Sequence, residues 1–450
     1  MTVKRTIQPI ILAAGKSTRM RSDQPKVLHH IAQQPMLEYV LKLINKASAN
    51  LKDISFAQTI VVANNRLSEN KEYIQLQSRY KFKQAIQGEI SGTYGAVSSA
   101  MPMVSNNTHE ILILYGDTPF LTAESITKMI RRHANTSYEV VCAGFQSNRH
   151  DNEYGILMCD NGTVGNIIEH KHIQNTQKNS ETIYNSGVML ISYNCITNFH
   201  DYALRQLSAP HSEVYLTKIV EFANSTGGAN CGYITIDENE AMGINNCHEK
   251  AAAERYMQAT LQKAMMDNGV SIIDPRSTYI SADTQIDTDV TIYPNVWIGK
   301  NVKIGRGSNI LSFSHIEGAH IDDYSQIGPF ARIRPQSHLG KHTKIGNFVE
   351  IKNSTIAART KAGHLTYIGD TSIDEDTNIG AGTIFCNYDG QNKHKASVGK
   401  KCFIGSNSTI ISPVVIKDNV FVAAGTTVTR NIESNQFVIS RVKQQHKERK

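Results

Sequence analysis

The chain has 450 residues, 40% hydrophobic and 19% charged, with a formal net charge of +7. These values exclude disordered and collagen-like classes, and the length is too great for one average core, so two domains are expected. No apolar run approaches a bilayer-crossing length, and the stretch Ile7–Leu12, cut short by Gly15-Lys16, does not read as a secretory signal. Seven cysteines, at 142, 159, 195, 231, 247, 386 and 402, form no CxxC pair. An odd, scattered set is the pattern of reduced thiols in a cytoplasmic protein, not of a disulfide frame or a cysteine-built zinc site. Aromatic residues are not interleaved with basic ones, so nucleic acid is not an expected partner; with no bilayer-length apolar run, neither is a membrane. The basic tail Arg441–Lys450 reads either as a solvated end or as a contact for a polyanionic ligand.

In chain order, apolar strands are predicted at 7–12, 59–62, 111–115, 139–142 and 188–191, with helical stretches such as Met36–Ala47 and Ala123–Ala134 between them. Alternation of this kind predicts an open, mostly parallel α/β sheet, in which ligands gather beyond the carboxyl ends of the strands. Near residue 246 the pattern changes. Glu249–Met266 is rich in strong helix formers and free of Gly and Pro, and Asp267-Asn268-Gly269 closes it. The expected organisation is a first domain over 1–246, a linker helix over 247–268 and a third segment over 269–450.

That last segment repeats an aliphatic residue every six positions. Ile286, Ile292, Ile298, Ile304, Ile310 and Ile316 stand in strict register. After a one-residue slip the series resumes at Ile321, Ile327, Ile333, Leu339, Ile345 and Ile351; further slips lead to Ile356, Ala362 and Ile368, then to Ile373 and Ile379. The beat returns at Val398, Ile404, Ile410, Ile416, Val422 and Val428. Neither a 3.6-residue helix nor a period-two strand gives a period of six. A solenoid does, its short strands each turning one branched side chain inward, with Gly or Asn at the corners and about eight coils if three strands make a turn. The alternative is a β-sandwich with irregular strands.

Three motifs carry chemistry. Leu12-Ala13-Ala14-Gly15-Lys16-Ser17-Thr18-Arg19-Met20 follows the first strand but lacks Walker spacing; its small residues let backbone N–H groups approach anionic oxygens or base edges, and Arg19 and Lys26 add fixed positive charge. Tyr115-Gly116-Asp117 follows another strand, putting Asp117 at the sheet's carboxyl edge, where a hard oxygen suits Mg²⁺. A strand-ending Asp is equally a helix N-cap. Lys361–Asp370 and Asn378–Gly390 lie where the hexads weaken, and bring His364, a residue suited to proton transfer near neutral pH.

The string from Leu12 to Leu28, L-A-A-G-K-x-T-R-M…P-K-V-L, resembles the sugar-nucleotide pyrophosphorylases. Together with the hexads it resembles, over nearly the whole chain, the bacterial family of bifunctional N-acetylglucosamine-1-phosphate uridyltransferases and glucosamine-1-phosphate acetyltransferases. The resemblance implies a Rossmann-like nucleotidyltransferase domain, a linker helix and a left-handed parallel β-helix. For the first half it implies UTP and Mg²⁺, with the metal on Asp117 and Asn245. It further implies uridine recognition by Leu12, Ala13, Ala14, Gly15, Gln84, Gly92 and Thr93, phosphate contact by Arg19 and Lys26, and sugar contact by Gly155, Glu169 and Asn185 beside Tyr115 and Gly116.

For the second half it implies acetyl-CoA as donor and His364 as base, with Glu350 orienting the imidazole and Ser406 donating to the oxyanion. Arg334, Lys352, Tyr367 and Asn378 are then expected to hold glucosamine-1-phosphate. Asn387 and Tyr388 complete the amine pocket, while Ala381, Ala424 and Arg441 follow the coenzyme arm. The loop Asn387–Ala396 breaks the register and is expected to project. A homotrimer with this site between subunits is implied, whereas Cys386 reads as a bystander. The chain departs from the family pattern at Ser17 (for Gly), Ile156 (for Arg) and Lys218 (for Asp), and in the long spacer Ile86–Ser91; these bear on sugar and uracil recognition. Two other readings stand beside this one. A one-activity nucleotidyltransferase would lack the His364–Tyr367 and Asn387–Tyr388 segments, and a non-enzymatic assembly subunit would have lost Arg19, Lys26 or Asp117.

Overall fold

The computed structural model describes residues 4–147, 153–173, 181–205, 213–227 and 230–449. The chain forms two compact units, Met1–Ala253 and Glu254–Lys450, parting within a helix, Cys247–Asp267.

The first unit is built on a ten-stranded mixed sheet. Its central strand, Arg5–Leu12, runs parallel to Ile60–Ala63 on one side and to Glu110–Tyr115 on the other. Pro9 sits in this strand without breaking it, because on one side the first half pairs with Ile54–Phe56 and the second half with Ile60–Ala63. The gap is bridged by the buried Gln8 amide, which donates to Gln58 O at 2.8 Å and Pro9 O at 3.0 Å. Ile183–Ser192 runs antiparallel to all three strands it pairs with, so the sheet is less uniformly parallel than the alternating pattern predicts. Strands Lys83–Ile86, Ile156–Asp160, Thr163–Ile168 and Cys231–Thr235 are further members of the sheet that the apolar runs do not predict. The helices Met36–Asn50 and Ala123–Ala134 cover one face with Leu37, Leu41, Ile126 and Ile130 buried beneath them.

The second unit is a left-handed β-helix of three parallel sheets with ten, nine and eight strands among the described residues. Eight strands on the shortest face match the expected coil number. Each strand is two to four residues long, and the hexad aliphatics stack in register, as Ile292 on Ile310 and Ile310 on Ile327. Apart from the partly buried Ile286 at the start of the series, they are buried and form one continuous core. All three one-residue slips fall at the same corner, between the second and third faces: Ile316 to Ile321, Ile351 to Ile356 and Ile368 to Ile373. The inserted loop after Cys386 leaves from that corner too.

Many corners carry the expected Asn or Gly, among them Asn295, Asn407, Gly307 and Gly382, but others do not. Phe313, Phe330, Phe348 and Leu365 take the left-handed conformation at one corner, with φ between 50° and 63°, and Tyr324, His342, Arg359 and Asp376 do so at another. Such φ values disfavour bulky residues. Here each is offset by a backbone bond to the coil before, as Leu365 N to Asn347 O at 3.0 Å, and by stacking of Phe313, Phe330 and Phe348 at 4.8 and 5.1 Å between ring centroids. At the open start of the coil, Gln258 of the helix donates to Ile280 O and accepts from Ile280 N, both at 2.9 Å, pairing an edge that would otherwise be exposed.

Candidate functional site

In the first unit a cleft of about 1090 Å³ opens at the carboxyl ends of the central strands. Its walls include Leu12, Ala13, Ala14 and Gly15 from the turn after the first strand, and Arg19, Lys26, Gly92, Thr93, Tyr115 and Asp117. Gly155, Glu169, Asn185 and Asn245 line the rest. The turn is held at both sides. Ala13 N donates to Val62 O at 2.9 Å, and the Asn64 amide donates to Ala14 O at 2.9 Å. Gly92, at φ +90°, has no room for a side chain, since a Cβ would lie 2.5 Å from Val214 O. That close approach lets Thr93 Oγ1 accept from Leu216 N at 2.9 Å, tying 91–94 to 213–216.

At the floor, the Lys26 ammonium pairs with Asp117 Oδ2 and donates to Asn245 Oδ1 at 3.0 Å. Glu249 sets the Asn245 amide by accepting from its backbone N at 2.6 Å and from Nδ2 at 3.2 Å, which leaves Oδ1 facing inward. Two hard oxygens thus already meet on one positive charge. This is the donor set Mg²⁺ takes from protein when substrate phosphates and water complete its shell, so the residues fit the metal. Arg19 instead reaches Glu153 at 3.0 Å, with both side chains mostly exposed. Tyr115 and Tyr154 are aromatic walls, and burial pushes both phenols above their usual range. Glu169 is engaged by the Thr217 hydroxyl, and Asn185 accepts from Gly187 N at 3.0 Å.

Two expected contacts differ. Gln84 lies mid-strand, paired with Val61, and the cleft is walled instead by Gln87 and Gly88, which stand beyond the strand's carboxyl end. Gly116 packs inward, where a Cβ would meet Val27 and Ala13 at 3.0 and 3.4 Å, so it spaces the floor rather than lining it. Glu249 was not foreseen; its signal was an acidic residue in the first turn of the helix beginning at Cys247.

On the solenoid the expected residues fall into two groups. Asn347 and His364 are register partners, and Ala362, Ile379, Ile404 and Val422 align one strand after another. Two residues on from each of these, His364, Ala381, Ser406 and Ala424 therefore form one column at the corner between first and second faces. Backbone bonds follow it, Asn407 N to Ala381 O and Gly425 N to Ser406 O, both at 2.8 Å, and Arg441 Nη1 donates to Ala424 O at 3.1 Å. The imidazole Nδ1 of His364 is in contact with Asn347 Oδ1. Glu350 does not take that place. It pairs with Arg334 at 2.7 Å, because the coil here is 17 residues long and position 347, not 350, stacks against 364.

The second group stands at the corner between second and third faces. Arg334 and Lys352 follow one another along the coil, and Lys393, from the loop after Asn387, lies against Lys352. The Lys393 ammonium holds the Lys352 ammonium below the usual lysine range. Asp370 accepts from Asn353 and Asn387; burial raises its pKa, but these bonds and the nearby Lys352 outweigh it and leave the carboxyl below its ordinary range. Asn387 Nδ2 is 3.5 Å from Tyr367 Oη, over Gly369, where a Cβ would lie 2.4 Å from that same oxygen. The loop folds back on itself through a Tyr388–Lys393 bridge and a His394–Asp389 pair at 2.6 Å. Asn378 is not brought to this group. It lies on the first face between Lys361 and Phe403. Lys393 was not singled out in the sequence, although the register break around it was visible.

The MobA-like NTP transferase domain family matches residues 9–213, and two hexapeptide families match the solenoid: the bacterial transferase hexapeptide at 277–312 and the hexapeptide repeat of succinyl-transferase at 395–430. The chain is 36% identical to the bifunctional protein GlmU of Anaplasma marginale (strain Florida), over 97% of either chain. It is 37% identical to that of Wolbachia pipientis wMel over 98% of both. The GlmU of Ruegeria sp. (strain TM1040) is 37% identical over 97% of this chain and 94% of the relative. The chain belongs to the GlmU family.

Within that family the three substituted positions noted in the sequence acquire locations. Ser17 adopts φ 58°, a conformation that favours Gly, and its hydroxyl repays part of the strain by donating to Gly15 O at 3.2 Å and accepting from Lys26 N at 3.0 Å. Ile156 is buried in the core beneath the cleft, paired with Ile168 and Tyr184. Lys218 opens a short helix and pairs with Glu221 at 2.9 Å, while its neighbour Thr217 lines the cleft.

Proposed function

We infer that this GlmU-family chain is a bifunctional transferase that acetylates glucosamine-1-phosphate from acetyl-CoA and transfers UMP from UTP to the resulting N-acetylglucosamine-1-phosphate. The observation that carries the reading is the meeting of Lys26, Asp117 and Asn245 at the floor of a cleft rimmed by the 12–15 turn. The Asn347–His364 pair on the solenoid of the same chain supports the second activity.

In uridylyl transfer, a sugar-phosphate oxygen attacks the α-phosphorus of UTP and the bond to pyrophosphate breaks. The nucleophile is already anionic, so no side chain need remove a proton. Lys26 and Arg19 neutralise the charge on the phosphates, the backbone of 12–15 with Gly92 and Thr93 holds the nucleotide, and Gly155, Glu169 and Asn185 hold the sugar. Mg²⁺ bound through Asp117 and Asn245 would screen the transferring phosphates.

In acetyl transfer, the amine attacks the thioester carbonyl, the C–S bond breaks, and the amine's proton passes to His364. Asn347 fixes the ring through Nδ1, which leaves Nε2 to accept that proton. Ser406, in the same column, donates to the oxyanion. Arg334, Lys352 and Lys393 gather three positive charges that a phosphate relieves. On a single chain the base column and this cationic group occupy different corners. That favours an arrangement in which a second copy supplies one of them, and a homotrimer is the form proposed. Among the described residues no helix is long and apolar enough to cross a membrane, and the seven free thiols suit a cytoplasmic site of action.

The test is to supply glucosamine-1-phosphate, acetyl-CoA and UTP together and follow the products by mass. N-acetylglucosamine-1-phosphate should appear first, then UDP-N-acetylglucosamine with pyrophosphate. A uridylylated sugar with no acetylated intermediate would reduce the chain to a single activity.

A further inference from the structure

We propose that His320, Asp322 and His338 form a binding site for a late first-row transition-metal ion, of the Zn²⁺, Ni²⁺ or Cu²⁺ class, on the third face of the solenoid. The three side chains belong to two successive coils. His320 points outward from the strand Ala319–Ile321, Asp322 follows two residues later, and His338 is the register partner of His320 on the next strand. One ligand atom from each lies within 4.8 Å of the others. Both imidazoles turn the same nitrogen to the same carboxylate: His320 Nε2 is 3.4 Å from Asp322 Oδ1, and His338 Nε2 is 3.3 Å from Asp322 Oδ2.

Those separations are informative. With metal–ligand bonds of roughly 2.0–2.1 Å, the edge of a tetrahedral site is about 3.3 Å; each imidazole already stands at that distance from one carboxylate oxygen, His320 from Oδ1 and His338 from Oδ2, so a turn of the Asp322 carboxylate brings one oxygen to both. The rings stack at 5.0 Å between centroids with 23° between planes, and both are about half exposed, so a small rotation closes the third edge. The ladder already holds the backbones of 320 and 338, so ordering them costs little on binding. Imidazole with one carboxylate selects this class of ion over Mg²⁺ or Ca²⁺, which prefer oxygen alone. The site is thus chemically separate from the Asp117–Asn245 pair. Three protein ligands leave a coordination position open to water or to a donor from elsewhere. A bound ion would also join two coils across the face, adding to backbone bonds such as Asp322 N to Leu339 O at 2.8 Å.

The test uses the full-length protein in excess Mg²⁺, titrated calorimetrically with Zn²⁺, beside the His320→Ala/His338→Ala double variant and a His446→Ala control. The wild type and the control should bind one more Zn²⁺ per chain than the double variant, with at least ~100-fold tighter affinity for that ion, since loss of outer-sphere partners alone costs 10–100-fold. The outward-facing substitutions should leave both transferase activities intact, which certifies the fold. With one equivalent of Cu²⁺, the electron paramagnetic resonance spectrum should show two coupled imidazole nitrogens, lost in the double variant. Equal Zn²⁺ stoichiometry and affinity in wild type and double variant, or saturation only at millimolar Zn²⁺, would overturn the proposal.

Discussion

Lys26 Nζ donates to Asn245 Oδ1 at 3.0 Å, joining residues 219 positions apart in the chain. Asp117 pairs with the same ammonium. A metal held by Asp117 and Asn245 would draw on the same two oxygens as this lysine, whose ammonium would then be free to meet the phosphates. Asp117→Ala is expected to lower uridylyl transfer by at least ~10²-fold, the usual cost of losing one preorganised charge partner, while acetyl transfer is unchanged. Chelating divalent ions should give the same split. Coupled assays of pyrophosphate and free thiol on one preparation check both, and loss of the two activities together in a well-folded protein would defeat the two-site reading.

His364→Ala should do the reverse, costing acetyl transfer ~10²–10⁴-fold as removal of a general base does. Asn347→Ala should lower kcat and alter the pH profile, because it releases the ring. Glu350→Gln should act on the KM for glucosamine-1-phosphate through Arg334 and leave the pH profile alone. If instead Glu350→Gln shifts the pH profile and Asn347→Ala does not, the orienting residue is Glu350.

Ser17 holds a left-handed backbone and ties Gly15 to Lys26 through its hydroxyl. Ser17→Gly removes strain of ~1–2 kcal/mol and two hydrogen bonds worth ~1 kcal/mol each. Stability should hence stay within about 1 kcal/mol of wild type, while uridylyl transfer falls about fivefold as Lys26 loses its tether. Denaturant melts and initial rates separate the two effects. A faster enzyme with the glycine would show that the hydroxyl has no positioning role.

His133 is buried against Arg5, whose guanidinium donates to Nδ1 at 3.0 Å. Desolvation first, then the Arg5 charge, push its pKa down to about 4. The unfolded chain binds this proton near pH 6.5 while the folded one refuses it, so the first unit should lose stability progressively as pH falls from about 6.5 to 4. The loss should reach about 3 kcal/mol. His133→Gln keeps an acceptor for Arg5 without a titrating ring, and should flatten that slope in unfolding curves taken across the window. An unchanged slope would assign the acid lability to other groups.

The hexads by themselves determined the solenoid, its inward residues and its number of coils, because burying one branched side chain per strand is a local demand repeated at a local period. Likewise the 12–28 string and the Asp117 segment were enough to locate a nucleotide cleft at the carboxyl edge of a sheet. Family resemblance pairs Asn245 with Asp117, but only the tertiary structure decided how the distant groups are held there. That Asn245 shares a cation with Asp117, and that Glu249 fixes the amide, depends on chain crossings no linear spacing encodes. On the solenoid the difference is one residue. The slips shorten some coils to 17 positions, so side chains align down a column by coil length rather than by motif distance. Hence Asn347 faces His364, Glu350 faces Arg334, Asn378 stands on another face, and Lys393 arrives from a loop whose direction is set by the corner it leaves.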